Sequence, residues 1–320
     1  MKIGTIIRDG EERAAVIVDG AAVDLREAAL ALGRPDEAPA SVLDVIAAKD
    51  RFADSIAAAV ASGAGRIALD RVTLAPPIPH PGKILCLALN NSANKDRILS
   101  GPQHPAFFPK PASCLIGSGA AIVLRADYGR VHPEPELAVV IGRKGRDIAA
   151  EHAEAHVYGY TIMNDLTSPT MRADDTFHYR AIHPANDGSD GVRYVDTWVS
   201  YPGRYKGSDT FGPIGPWIVT RDEIADPHDL TVRCLHQGRL VTEDNTCNLF
   251  YKIPQVIAFV SAYMTLFPGD VISLGTALKS AAAGGKAVQT VDLNSMGGPI
   301  AVSISGIGTL ENPVVRQGVP

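Results

Sequence analysis

Glu134 and Glu136 stand two residues apart in His132-Pro133-Glu134-Pro135-Glu136, immediately before the apolar run Leu137-Ala138-Val139-Val140-Ile141 and Gly142. In a strand, side chains at i and i+2 leave the same face. A strand that starts near Glu134 therefore points both carboxylates one way. Asp165 follows Glu136 by 29 residues, at the end of a second apolar run from Val157 to Asn164. Two strands can bring the three acids into one all-oxygen, strongly anionic pocket. Such a pocket repels itself unless a hard cation sits in it. The plainer alternative is a pair of solvated acids at a strand start and an Asp that caps a turn.

Two further positions carry chemistry only in company. Lys206 lies in Arg204-Tyr205-Lys206-Gly207-Ser208-Asp209-Thr210-Phe211-Gly212-Pro213; a lone Lys is ordinarily a surface residue. Gly275-Thr276 follows an apolar strand, so a backbone N–H and a hydroxyl there can hold a carboxylate. Gly117-Ser118-Gly119 is no dinucleotide fingerprint, because no third glycine and helix follow.

The elements that must position these residues are mostly strands. Ile3–Ile7 and Ala14–Val18 read as a hairpin around Asp9-Gly10, and Asp19-Gly20 turns into a third strand, Ala21–Leu25. Helical spacing follows around Ser41–Lys49, with Ser41 a candidate N-cap, and around Arg51–Ala61. Four prolines in residues 76–82 read as a linker. Beyond it, Ile84–Leu89, Ala121–Leu124, Leu137–Ile141, Val157–Ile162 and Val271–Leu274 look like strands of one larger core. Helices fit Ala149–Ala155 and Pro254–Leu266, the latter with an apolar stripe that reads as core packing. Short strands, Ala301–Ser305 and Ile307–Leu310, come last. The division expected is a small unit over 1–74 and a larger one over 75–320.

The 320 residues carry 30 glycines and 23 prolines, which favours a β-rich or mixed fold over a helical bundle. Net charge is −5 with no Lys/Arg cluster, so nucleic acid and anionic membrane are poor partner expectations. No apolar run reaches the ~18 residues of a membrane span, and Met1-Lys2-Ile3-Gly4 has no signal-peptide pattern. Cys86, Cys114, Cys234 and Cys247 show no CxxC spacing and read as buried thiols in a reducing cytoplasm.

Taken jointly, the motifs resemble a family. Glu-x-Glu-Leu-Ala-Val-Val-Ile-Gly is followed in order by Gly-Tyr-(x)3-Asn-Asp, Lys-Gly-x-Asp-Thr-Phe-Gly-Pro-Ile-Gly-Pro, Leu-Phe-Pro-Gly-Asp-Val-Ile-Ser-Leu-Gly-Thr and Gly-Ile-Gly-Thr-Leu-Glu-Asn-Pro-Val. This series is similar to the fumarylacetoacetate hydrolase superfamily over residues ~75–315. The resemblance implies an α+β fold: a mixed β-roll catalytic domain beside a small N-terminal α+β domain. It implies Mg²⁺ or Mn²⁺ held by Glu134, Glu136 and Asp165, and a small 2-oxo or 1,3-diketo acid as substrate. Lys206 falls where the family has a lysine that contacts the substrate's oxygen, and Gly275-Thr276 where it holds the substrate carboxylate. A homodimer is a further expectation from the family.

Three departures qualify that picture. Hydrolytic members carry Gly-Leu-Asn-Tyr-x-x-His and a Glu three residues later; here Asn94 stands at the His and Arg97 at the Glu. Asn cannot accept a proton near neutral pH, so it is no general base, and nearby Asp96 is more simply a solvated loop residue. After Asp165, Pro169 replaces the usual Arg while Arg172 takes the place of a Gln, where it can grip a substrate carboxylate. Finally, 41 residues separate Asp165 from Lys206, roughly twenty more than the resemblance implies. Within that insert His178 titrates near neutral pH and is a candidate replacement base. The leading expectation is a metal-dependent C–C hydrolase of acylpyruvate-like acids. The alternatives are an isomerase, decarboxylase or lyase of the same superfamily, favoured by Asn94, or a non-catalytic ligand-binding relative.

Overall fold

Turn chemistry and periodicity set the first elements. In a computed structural model that describes residues 1–278 and 287–318, strands β1 (Lys2–Arg8) and β2 (Glu11–Val18) form a hairpin closed at Asp9-Gly10. Both turn residues have positive φ, 53° and 78°, as a tight hairpin turn needs. β3 (Ala21–Asp24) stops one residue earlier than its apolar pattern suggests. The Asp24 carboxylate accepts the N–H groups of Arg26 (3.0 Å) and Glu27 (3.2 Å), so a helix, α1 (Leu25–Ala31), starts there. α2 (Val42–Ala47) starts at its Ser41 cap, whose hydroxyl accepts Asp44 N–H at 3.1 Å, and α3 (Lys49–Ser62) follows. β4 (Arg66–Ala68) and β5 (Thr73–Leu74) complete this part.

The larger part begins with β6 (Ile84–Ala88), β7 (Ala106–Lys110), β8 (Leu115–Ile116) and β9 (Ile122–Arg125). β10 (Pro135–Ile141) and β11 (Val157–Asn164) are buried along their whole length. Between them Ala150–His156 is a 3₁₀ helix and not the expected α-helix; its N-terminus has no side-chain cap. The insert contains α4 (Pro169–Asp174) and an exposed hairpin of β12 (Phe177–Pro184) and β13 (Val192–Val199). Then come α5 (Arg204–Gly207), β14 (Gly212–Thr220), β15 (Thr231–His236) and β16 (Arg239–Asn245). α6 (Ile253–Tyr263), β17 (Val271–Ser273), α7 (Leu293–Met296), β18 (Ile300–Ile304), β19 (Gly308–Asn312) and β20 (Val314–Gln317) close the chain order.

The main sheet runs β4-β3-β2-β1-β14-β11-β10-β17-β6-β7. β8, one short turn beyond β7, pairs in parallel with β14, so the sheet curls back on itself as a roll. Ile84, Cys86, Ala138, Met163, Ile214 and Val271 form one buried cluster, with Phe108 and Leu115 packed against it. The alternate side chains, such as Leu85, Leu137, Val139 and Ile162, enter a larger core shared with α6 and the second sheet, β16-β15-β18-β19. This alternation is the period-two signature of strands buried on both faces.

The architecture is the mixed α+β, strand-dominated fold expected. Because Lys2 pairs with Val219, the ladder continues from the first hairpin into the larger part, across the expected boundary at 74/75. Cys86, Cys114 and Cys234 are buried as expected, but Cys247 is exposed, on a 3₁₀ turn at Thr246–Asn248.

Candidate metal centre

Three neighbouring strands build the site. β10 lies between β11 and β17, and the site sits where all three end. β10 begins at Pro135, one residue later than the sequence suggests, yet the ladder reaches past it. Asp165 N–H donates to Glu134 O at 2.9 Å, and Glu134 N–H donates to Asn164 Oδ1 at 2.9 Å. Pro135 pairs with Asn164, so Glu134 and Asp165 are the next cross-strand pair. Like charges placed directly opposite are destabilising. Glu136, two residues on, completes a group whose carboxylate oxygens lie within 4.8 Å of one another.

Each carboxylate has a different set of partners. Glu134 accepts from Lys206 Nζ (2.7 Å) and Thr276 Oγ1 (3.1 Å) at one oxygen, and from Thr167 Oγ1 (2.9 Å) at the other, where His132 Nε2 also lies at 3.0 Å. Asp165 accepts from Lys206 Nζ at Oδ2 and from Lys110 Nζ at Oδ1, both at 2.6 Å. Glu136 accepts from Ser273 Oγ (2.5 Å), Gly275 N–H (3.1 Å) and Thr276 Oγ1 (3.1 Å). Among the described residues, no ion pair reaches Glu136.

The electrostatics follow from these contacts. Burial raises the Glu136 carboxyl, and the charges of Asp165 and Glu134 push it further, to about 8. Burial also works against the charge on Glu134, but the Lys206 ammonium and His132 overcome it and hold that carboxyl well below the usual range. Burial opposes the Lys206 charge as well, while Asp165, Glu134 and Glu136 outweigh it and raise that ammonium well above an ordinary lysine. The cluster thus includes one carboxylate with no cationic partner among the described residues. An all-oxygen donor set of this kind, short of positive charge, suits a hard divalent cation such as Mg²⁺ or Mn²⁺.

Lys206 reaches the acids from α5, the short helix before β14. Its ammonium also lies 5.2 Å from the Phe108 ring centroid, an aromatic wall beside the charge. Gly275 and Thr276 come to the same place, but the Gly275 N–H and the Thr276 hydroxyl are engaged by the acids. Gly275 has φ +99°, and Asn90 locks the chain beneath it by donating to Leu274 O at 2.8 Å.

The other expected site residues are exposed. His178 is on the exposed β12–β13 hairpin, its ring stacked on Trp198 at 4.1 Å. Arg172 is exposed on α4. Among the described residues, no hydrogen bond or ion pair joins either one to the three acids. Asn94 is buried in a 3₁₀ helix over Ser92–Arg97, and the side chains of Asp96 and Arg97 lie outside the described residues. Sequence reasoning missed Lys110, His132, Thr167 and Ser273. His132 is adjacent to the acidic motif, while only the flanking prolines, Pro109 and Pro111, mark Lys110.

With fold and site defined, comparison with known proteins places the chain. Residues 83–315 match the family of the fumarylacetoacetate (FAA) hydrolase C-terminal domain, and the chain belongs to that family. It is 36% identical over 240 residues to Protein Rv2993c of Mycobacterium tuberculosis, covering 74% of this chain and 77% of that protein. It is 34% identical over 206 residues to oxaloacetate tautomerase FAHD2B, mitochondrial, of Bos taurus, covering 64% of this chain and 59% of that protein. The crystal structure of maleylpyruvate hydrolase from Sphingobium sp. SYK-6, in complex with manganese(II) ion and pyruvate, superposes with a TM-score of 0.73. That match has 29% identity and covers 99% of both chains. The family is one of enzymes whose members include hydrolases, isomerases and tautomerases of small acids. No helix among the described residues is long and apolar enough to cross a membrane.

Proposed function

We propose that this chain is a divalent-metal-dependent hydrolase that cleaves a C–C bond in a 2-oxo or 1,3-diketo acid. One observation carries the reading: Glu134, Glu136 and Asp165 converge on one point together with the ammonium of Lys206. Glu134, Glu136 and Asp165 hold the ion. A bound Mg²⁺ or Mn²⁺ supplies Lewis acidity to the carboxylate and carbonyl oxygens of a chelating 2-oxo acid.

The chain's own residues do the rest. Lys206 donates to the substrate oxygen on which negative charge develops as an enolate forms, and the buried setting strengthens that interaction. The Thr276 hydroxyl, held by Glu134 and Glu136, turns to orient a substrate carboxylate once those acids hold an ion. Similarity to maleylpyruvate hydrolase over nearly the whole chain supports hydrolysis among the reactions that pass through an enolate.

A second reading is keto–enol isomerisation, and Asn94 favours it. Hydrolysis needs a group that takes a proton from water, and an amide cannot. The relative named as an oxaloacetate tautomerase supports the same reading. A panel of acylpyruvates and oxaloacetate, incubated with metal-stripped and Mn²⁺-loaded protein, separates the two. Release of pyruvate with a second carboxylic acid supports hydrolysis. Loss of the enol absorbance with the carbon skeleton intact supports isomerisation. Failure of metal-stripped protein to bind Mn²⁺ by calorimetry refutes both.

A further inference from the structure

Lys110 is the most deeply buried cation near the site, and its side chain is wholly removed from solvent. It ends β7, a terminal strand of the main sheet's path, and the closure of the roll through β8 and β14 brings its ammonium to Asp165. Its ammonium donates to three oxygens: Asp165 Oδ1 at 2.6 Å, the Phe211 carbonyl at 3.0 Å and the Lys206 carbonyl. An ammonium has three protons and no acceptor, so this set satisfies it fully. Local packing holds the arrangement in place. Pro111 presses on α5 so closely that a Cβ at Gly207 would meet Pro111 Cδ at 3.0 Å.

We propose that Lys110 is a positioning residue for the metal centre. Holding Oδ1 leaves Asp165 Oδ2 turned toward Lys206, the cation that also holds Glu134, so Asp165 offers the ion a single, aimed oxygen. Through the Lys206 carbonyl, the same ammonium fixes the backbone from which the Lys206 side chain enters the cluster. Lys110 touches neither ion nor substrate; it acts through Asp165 and Lys206. Lys206 keeps 9% of its side chain exposed, whereas Lys110 keeps none.

The inference rests on the metal reading of the three acids, and direct ion binding separates the two. Mn²⁺ affinity is measured by calorimetry on metal-stripped parent and Lys110→Met. A parent that binds no Mn²⁺ refutes the metal reading itself. The expected result is a parent that binds and a folded Lys110→Met that binds about 10- to 100-fold more weakly, the usual cost of losing a group that orients a metal ligand. Removing a positive charge would by itself favour a cation, so equal or tighter binding by folded Lys110→Met overturns the proposal. Should that variant fail to fold, ¹⁵N-lysine NMR of the parent decides. The buried Lys110 Nζ signal, distinguished from Lys206 by Lys206→Met, shifts on saturation with Mg²⁺ if Asp165 Oδ2 binds the ion. An unmoved signal overturns the proposal.

Discussion

Glu134 and Asp165 face each other across the last rung between β10 and β11, with the Asp165 N–H donating to the Glu134 carbonyl at 2.9 Å. The backbone thus forces two carboxylates together, and the Lys206 ammonium bridges them at 2.7 and 2.6 Å. Glu136, on the same strand, is left to hydroxyls and a backbone N–H.

That difference predicts opposite effects on stability and on ion binding. With its carboxyl raised to about 8, Glu136 must take up a proton to fold at neutral pH without an ion, and Glu136→Gln removes that cost. Metal-free Glu136→Gln is expected to melt about 1.5 °C above the parent, the shift that a gain of about 1 kcal/mol gives a chain of this size. Its melting point should no longer rise on addition of Mn²⁺. Thermal scans with and without Mn²⁺ check both; a parent-like rise with metal would remove Glu136 from the ligand set.

Gly275→Ala tests the support beneath Thr276. At φ +99° an alanine is strained, and its Cβ would lie 3.0 Å from Asn90 Cβ. A loss of about 1–3 kcal/mol is expected in urea denaturation. The Gly275 N–H shifts with the backbone, so Glu136 loses a donor and Mn²⁺ binding weakens. Unchanged stability and binding would mean the loop relaxes freely.

His228 sets a pH dependence remote from the acids. Its Nε2 accepts the N–H of Ile253 at the start of α6, at 3.1 Å, so the ring caps the helix only when neutral. Burial, then Lys252, lowers its pKa from 6.5. A lowered folded value means the unfolded chain binds the proton more readily. The stability gained from the neutral ring is present above 6.5 and is lost as pH falls through that value toward the folded one. His228→Leu is expected to cost about 1 kcal/mol at pH 7.5 and to lose stability less steeply between pH 7 and pH 5. Parallel slopes in urea titrations at both pH values would exclude His228 as the cause.

His178→Gln distinguishes two views of the insert. The ring lies on an exposed hairpin and stacks on Trp198. Turnover by the variant is expected within about twofold of the parent at saturating Mn²⁺, a change smaller than about 0.5 kcal/mol. A loss of a hundredfold or more, the size of a missing general base, would restore His178 as the catalytic base.

The strands that carry the acids were legible because buried strands on both faces write long apolar runs, as over 137–141 and 157–162. Glu134, Glu136 and Asp165 were legible because the acids sit at the ends of those runs. Lys206 and Thr276 needed the family resemblance, since their partners are 72 and 142 residues away. Lys110 was illegible: its role depends on how the roll brings β7 to α5, and nothing in Pro109-Lys110-Pro111 encodes that approach. The helix expected at Ala149–Ala155 formed a 3₁₀ turn, because local spacing does not say which hydrogen-bond ladder a short uncapped segment adopts. The β12–β13 hairpin was read only as an insert, since its strands leave large apolar residues such as Trp198 and Ile182 exposed and so lack a buried-face pattern.

The links that assemble the centre join residues 55, 72 and 142 positions apart. Each link closes a long loop of chain before any contact rewards it, a hallmark of slow, cooperative folding. No short stretch of the polypeptide contains all three acids and the ammonium that bridges two of them. Ion binding during refolding should therefore arrive late and all at once, making a bound Mn²⁺ a reporter of the finished roll.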